Sequence, residues 1–140
     1  MNEYSDDLLK SNIVKLKQSV ELLKLCEFTS KDNFTLLYRG SVHGFGSFDF
    51  HKLCDGKSNT LTVIKPANSP NIFGGFTSVP WDSSNSNKAD SKAFIFSLIN
   101  SSLGSCFRHP KYDEESNEAT TFLAGSNYFQ ISEIEVYLKH

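Results

Sequence analysis

Excess positive charge is missing from this sequence of 140 residues. Lys and Arg number 14 against 16 Asp and Glu, a formal net charge of −2. No basic stripe gathers along the chain, so capture of a phosphate backbone has no electrostatic source and nucleic acid is not expected as a partner. Long apolar runs are missing too: none approaches the ~18 residues that a membrane span requires, so no membrane insertion is expected. The opening residues Met1-Asn2-Glu3-Tyr4-Ser5-Asp6-Asp7 are acidic and polar, without the charged-then-apolar pattern of a secretion signal. Cysteine is scarce. Cys26, Cys54 and Cys106 are odd in number and far apart, which predicts reduced thiols and a cytoplasmic protein rather than a disulfide framework. Asn33-Phe34-Thr35 and Asn100-Ser101-Ser102 fit the glycan acceptor pattern, but without a secretion signal they read as chance matches.

What is present is an ordinary globular composition, 39% hydrophobic, with 12 Phe among the aromatics. The length fits one domain that can bury a sizeable core. Residues 1–30 are read as an N-terminal helical segment packing on a domain of residues 31–140. Within that segment Ile13, Leu16, Val20 and Leu23 recur at helical spacing, broadened by Leu22, Leu25 and Cys26. Ser5-Asp6-Asp7 or Ser11-Asn12 supplies side-chain oxygens for its first free amides. Residues 34–39 alternate as a strand, with Phe34, Leu36 and Tyr38 on one face and Leu37 on the other. A turn follows at 40–44, then a short helix over 47–55 that Gly56 stops.

The β-branched stretch 60–65 and residues 71–78 predict a hairpin. Gly74-Gly75 inside its second arm indicates a bulge or a close backbone approach. Residues 82–90 are a polar loop, and 93–100 are apolar at both parities, the pattern of a strand buried on both faces. Residues 101–119 are polar and read as irregular. The last strand, about 127–138, changes apolar parity between Ile131 and Ile134, which one extra residue near Ser132 would reconcile. The expected class is α+β: a sandwich of antiparallel sheets with flanking helices.

Candidate chemistry is sparse. His51 with Cys54, and Cys106 with His109, each make half a zinc site, but no CxxC or His pair completes one; no metal or cofactor is expected. Cys106, in a polar segment, and Cys54 are the candidate redox thiols. Glu133 and Glu135 alternate with the apolar residues of the last strand and are expected on its solvated face, where paired carboxylates serve solubility or contact more readily than acid–base work. Gly44-Phe45-Gly46 and Gly74-Gly75 lack the spacing of a phosphate loop.

Taken in order, Leu36-Leu37-Tyr38-Arg39, His43-Gly44-Phe45, Phe50-His51-Lys52-Leu53-Cys54-Asp55, Thr60-Leu61-Thr62-Val63-Ile64-Lys65, Asn71-Ile72-Phe73-Gly74-Gly75-Phe76-Thr77 and Trp81 resemble the opening of a TLDc domain of the oxidation-resistance family. Ala93-Phe94-Ile95-Phe96-Ser97-Leu98, Phe122-Leu123-Ala124-Gly125-Ser126 and Glu133-Ile134-Glu135-Val136-Tyr137 resemble its later strands. The resemblance implies a β-sandwich with flanking helices, a link to oxidative-stress resistance, and binding to vacuolar proton-pumping ATPase subunits; it carries no catalytic residue. The residues carrying it, Arg39, Gly44, Asp55, Gly74, Gly75, Gly125, Glu133 and Glu135, are candidate binding or structural determinants, with Arg39 and Asp55 a candidate surface ion pair. The sequence departs from the family in running almost directly from Phe96-Ser97-Leu98-Ile99-Asn100 into Ser101-Ser102-Leu103-Gly104. A block of strands is missing there, which predicts an open edge available to a partner or a second copy. The expected function is a non-enzymatic protein-interaction domain; the competing readings are a thiol-based antioxidant and a hydrolase.

Overall fold

In the stretch Thr60-Leu61-Thr62-Val63-Ile64, β-branched residues are stiff at χ1 and favour extended backbone, and Leu61 and Val63 point to one side of it. This stretch becomes a strand near the middle of the sheet. The computed structural model describes residues 11–29, 31–67, 71–84, 89–99, 105–109 and 130–140, with the backbone alone at 16–18, 99 and 105–109. The elements are α1 (Leu16–Leu25), β1 (Phe34–Arg39), α2 (Gly40–His43), α3 (Ser47–Cys54), β2 (Thr60–Pro66), β3 (Ile72–Thr77), β4 (Phe94–Ile99), β5 (Ser105–His109) and β6 (Ile131–Lys139).

All six strands join one sheet in the order β1-β6-β2-β3-β4-β5, every pairing antiparallel. The α+β layering expected from the sequence is present, and among the described residues its strands belong to this single sheet. One face carries Leu61, Val63, Ile72, Phe76, Phe94, Phe96, Leu98 and Tyr137. These pack against Ile13, Val14, Leu22, Leu23 and Cys26, so the helical stripe read from the sequence does cover apolar sheet. The other face carries Tyr38, Val136 and Cys54, with Leu37, Phe50, Leu53, Trp81 and Ile134 packed around them.

Two irregularities set which side chains meet. On β6, Lys65 faces Glu133 while Pro66 faces Ile131, which leaves Ser132 as the extra residue where the parity change required one. On β1 the register slips between Leu36, opposite Tyr137, and Tyr38, opposite Val136. Tyr38 therefore leaves the face it was expected to share with Phe34 and Leu36 and joins the opposite cluster. A strand apolar at Leu36, Leu37 and Tyr38 gives no parity signal for that slip.

Other expectations change. The turn at 40–44 is the one-turn helix α2. The segment read as irregular after residue 100 supplies β5, which pairs along β4, so the edge of β4 is not bare; the outer strands of the described sheet are β1 and β5. Gly74 and Gly75 sit in unbroken register with both neighbours, so they make no bulge. The reason for Gly74 is close approach: a Cβ there would lie 1.8 Å from the carbonyl oxygen of Thr62 and 2.8 Å from the Phe96 ring. Neither the backbone nor a buried ring can yield that much space. Gly74→Ala is expected to lower folding stability by ~3 kcal/mol or more through overpacking in the centre of the sheet, read by urea denaturation; a loss under ~1 kcal/mol would show that the β2–β3 spacing adapts.

Candidate functional site

Glu135 is fully buried and Glu133 is 9% exposed. The sequence reading placed both on a solvated strand face. That was wrong because β6 lies between β1 and β2, inside the sheet; periodicity gives the parity of a residue but not what covers that parity. A buried carboxylate is costly unless hydrogen-bonded and paired, and both are. Glu135 Oε2 accepts from Arg39 Nε at 2.9 Å and from the Asn12 amide at 2.8 Å, while Oε1 accepts from the Ser11 hydroxyl and from Tyr137 Oη at 3.0 Å. Burial, then the charge of Glu135, pushes the Tyr137 phenol far up, so it stays a donor. Arg39 thus pairs with Glu135 and not with Asp55 as expected. Ser11 also accepts from the Ile13 and Val14 amides, closing the turn that leads into α1.

Glu133 plays the matching part for α2. Its Oε1 accepts from the Ser41 amide at 3.0 Å and its Oε2 from the Ser41 hydroxyl at 2.5 Å, with the Ile134 amide at 3.1 Å. Burial pushes its pKa up, but these hydrogen bonds outweigh that and hold it below the usual carboxylate range.

The α2–α3 corner lies on the Tyr38 side. Tyr38 Oη donates to the Gly44 carbonyl, its ring stacks on His43 and meets Phe50 edge-on, and Phe50 in turn meets Trp81. Gly44 turns the chain with φ +105°, and a Cβ there would strike the Asp49 carboxylate at 2.4 Å. Asp49 accepts from the Gly46 amide at the start of α3. Above this aromatic layer Val42, Phe45 and Phe48 stand in solvent, 67%, 54% and 75% exposed. Sequence reasoning passed them over because in a short helix and a turn exposed and buried Phe look alike.

Asp55 accepts from Ser83 Oγ at 2.6 Å and pairs with His51 Nδ1 at 2.7 Å; these contacts, Ser83 first, lower its pKa. It ties α3 to the Trp81 segment, where Trp81 Nε1 donates to Thr60 Oγ1. Cys54 is buried, and burial followed by the charge of Asp55 pushes its thiol up to about 11. It stays protonated at neutral pH, the reverse of a redox nucleophile. The Cys106 side chain and Gly125 lie outside the described residues. No group of three His, Cys, Asp or Glu converges among the described residues. No helix there is long and apolar enough to cross a membrane.

A model of the TLDc domain family matches residues 8–114. The chain belongs to the TLDc family. That family is linked to oxidative-stress resistance. No curated protein matches the sequence. The matched span of the TLDc domain takes in Ser11, Arg39, the α2–α3 corner and Gly74 but stops before β6, so the resemblance in Glu133-Ile134-Glu135-Val136-Tyr137 rests on sequence alone.

One structural anchor went unread. Asp90, in the polar loop, accepts from Thr77 Oγ1, from the Ser78 amide and hydroxyl, and from the Lys92 amide. Desolvation opposes its charge, but these donors hold its pKa well below the ordinary carboxylate range. With depressed folded pKa values, Asp90 and Glu133 contribute stability that is complete above the usual ~4 of a carboxylate and is lost as pH falls through their lower values. Urea midpoints should drop between about pH 4 and pH 2, and Asp90→Ala should flatten that drop while costing ~2 kcal/mol at pH 7. Arg39→Met leaves the Glu135 charge without its cation and should cost ~3 kcal/mol. Lys139→Met, which removes a partly exposed ammonium 3.8 Å from Asp32, should cost under ~1 kcal/mol. Equal losses for the two would contradict the assignment of Arg39–Glu135 as the central pair.

Proposed function

We propose that this TLDc chain is a non-enzymatic, cytoplasmic docking domain whose contact surface is the α2–α3 corner. The exposure of Val42, Phe45 and Phe48, spaced three residues apart around that bend, carries the reading. A large apolar side chain left in water forgoes roughly 1.5–3 kcal/mol of burial, and clustered exposure of this kind marks interaction sites. The corner is also well supported: the Phe45 ring lies over Gly40, where a Cβ would meet it at 2.4 Å. A surface already ordered before contact loses less entropy on binding than a disordered one. The fate of the acidic groups supports the non-enzymatic part. A general acid or base needs an oxygen free to meet substrate and a pKa near the working pH, whereas Glu133 and Glu135 spend their oxygens on internal donors.

The family likeness makes vacuolar proton-pumping ATPase subunits the partner to test first, with protection against oxidative stress the cellular consequence. The combined Val42→Ser and Phe48→Ser variant should keep its melting temperature, since these two side chains are 67% and 75% exposed, and lose roughly 100-fold in affinity for purified pump subunits by calorimetric titration. Full affinity in that variant would remove the corner from the interface. Failure of the unaltered chain to bind any subunit would remove the pump.

A further inference from the structure

Ser41 is the joint between this corner and the sheet. It is exposed, it is the second residue of a helix only four residues long, and both of its donors end on the one carboxylate of Glu133. Glu133 is nine-tenths buried and fixed on a strand paired on both sides. Other ties of α2 include the Arg39 amide to His43 Nδ1 at 3.0 Å, Tyr38 Oη to the Gly44 carbonyl, the His43 ring stacked on Tyr38, and Gly40 packed close to Ile134. Helix α2 carries Val42 and, at Gly40, the surface on which Phe45 rests. The hydroxyl of an exposed residue therefore faces a buried anion across the contact that seats the proposed docking surface.

We propose that Ser41 is a phosphoacceptor and that its modification unlatches α2 from Glu133, dispersing the corner and switching docking off. The step is ordinary phosphoryl transfer: the γ-phosphoryl group of a nucleoside triphosphate passes to Ser41 Oγ, the hydroxyl proton goes to the base of a protein kinase, and the nucleoside diphosphate leaves. The product puts a charge of about −1.5 to −2 where a donor had been, directly against the Glu133 carboxylate that the hydroxyl had faced. The lost hydroxyl donor becomes a like-charge contact in a partly desolvated place, where repulsion is strongest. The proposal rests on the docking reading for its consequence but not for its mechanism.

The test is hydrogen exchange of the amides of residues 40–46 in the full chain carrying serine, alanine or phosphoserine at position 41, and in the phosphoserine chain with Glu133→Gln. Phosphoserine should speed exchange there by roughly ten-fold, equivalent to about 1.4 kcal/mol, and leave β2 and β3 unchanged. Ser41→Ala should have a smaller effect, and Glu133→Gln should return the phosphoserine chain to the alanine level by removing the opposing charge. Equal exchange for alanine and phosphoserine, or no relief from Glu133→Gln, would overturn the latch. Purified serine kinases of differing sequence preference, given ATP and the folded chain, should include one that places phosphate on Ser41, located by mass spectrometry; phosphate found there only after denaturation would overturn the phosphoacceptor. An opened latch in a chain whose pump binding never existed would fail the docking reading alone.

Discussion

The buried carboxylate of Glu135 is the constraint around which this fold is arranged. It sits on a strand held between two others and is itself fully buried. A charge in that position is tolerable only if the chain brings donors to it, and the donors come from places far apart in sequence: Ser11 and Asn12, Arg39, and Tyr137. Satisfying one residue therefore fixes three segments relative to each other. The turn at Ser11 is seated on the sheet, Ile13 and Val14 follow into the core, and α1 comes down over Leu61, Val63 and Phe96. Two positions earlier on the same strand, and by the period-two rule on the same side, Glu133 repeats the arrangement for α2. Alternate residues of β6 thus set the entry of both N-terminal helical pieces.

How much of this could be read beforehand depended on the range of the interaction. The positions of α3, β2, β3 and β4 followed from short-range signals: helical spacing at Phe50, Leu53 and Cys54, and β-branched or two-sided apolar runs bounded by Pro66 and the polar loop. The bulge at Ser132 was legible because Ile131 and Ile134 have conflicting parities that only an extra residue reconciles. The slip before Tyr38 was not, because Leu36, Leu37 and Tyr38 are apolar at either parity and any register buries them. The burial of Glu133 and Glu135 was hidden for a different reason. It follows from strand order, with the last strand inserted between the first and second, and nothing in the local pattern of β6 records that. Asp90 was missed likewise: its donors lie on the far side of a polar loop that reads the same whether or not it is anchored.

Those long-range placements also decide what the acidic residues are for. An exposed pair of carboxylates two residues apart invites a catalytic reading. The same pair enclosed by hydroxyls, amides and a guanidinium holds shape instead. The cost of burying two charges is recovered as fixed geometry at the helical entries, a use of buried ion pairs that concerns specificity more than net stability.

The two carboxylates nevertheless hold elements of unequal strength. Glu135 anchors a segment that continues into a large apolar cluster, so its release would require part of the core to come apart. Glu133 holds a four-residue helix in which Ser41, Val42 and His43 are all exposed residues and Gly40 is the buried one. Local opening is cheapest where few buried contacts must be broken, which makes α2 far easier to release than α1 although both are tied to the same strand. The exposed apolar corner sits on this weaker attachment. A surface that must meet partners and also be withdrawn from them is better built there than on the stable face, because its presentation can change while Glu135 keeps the sheet and α1 in place.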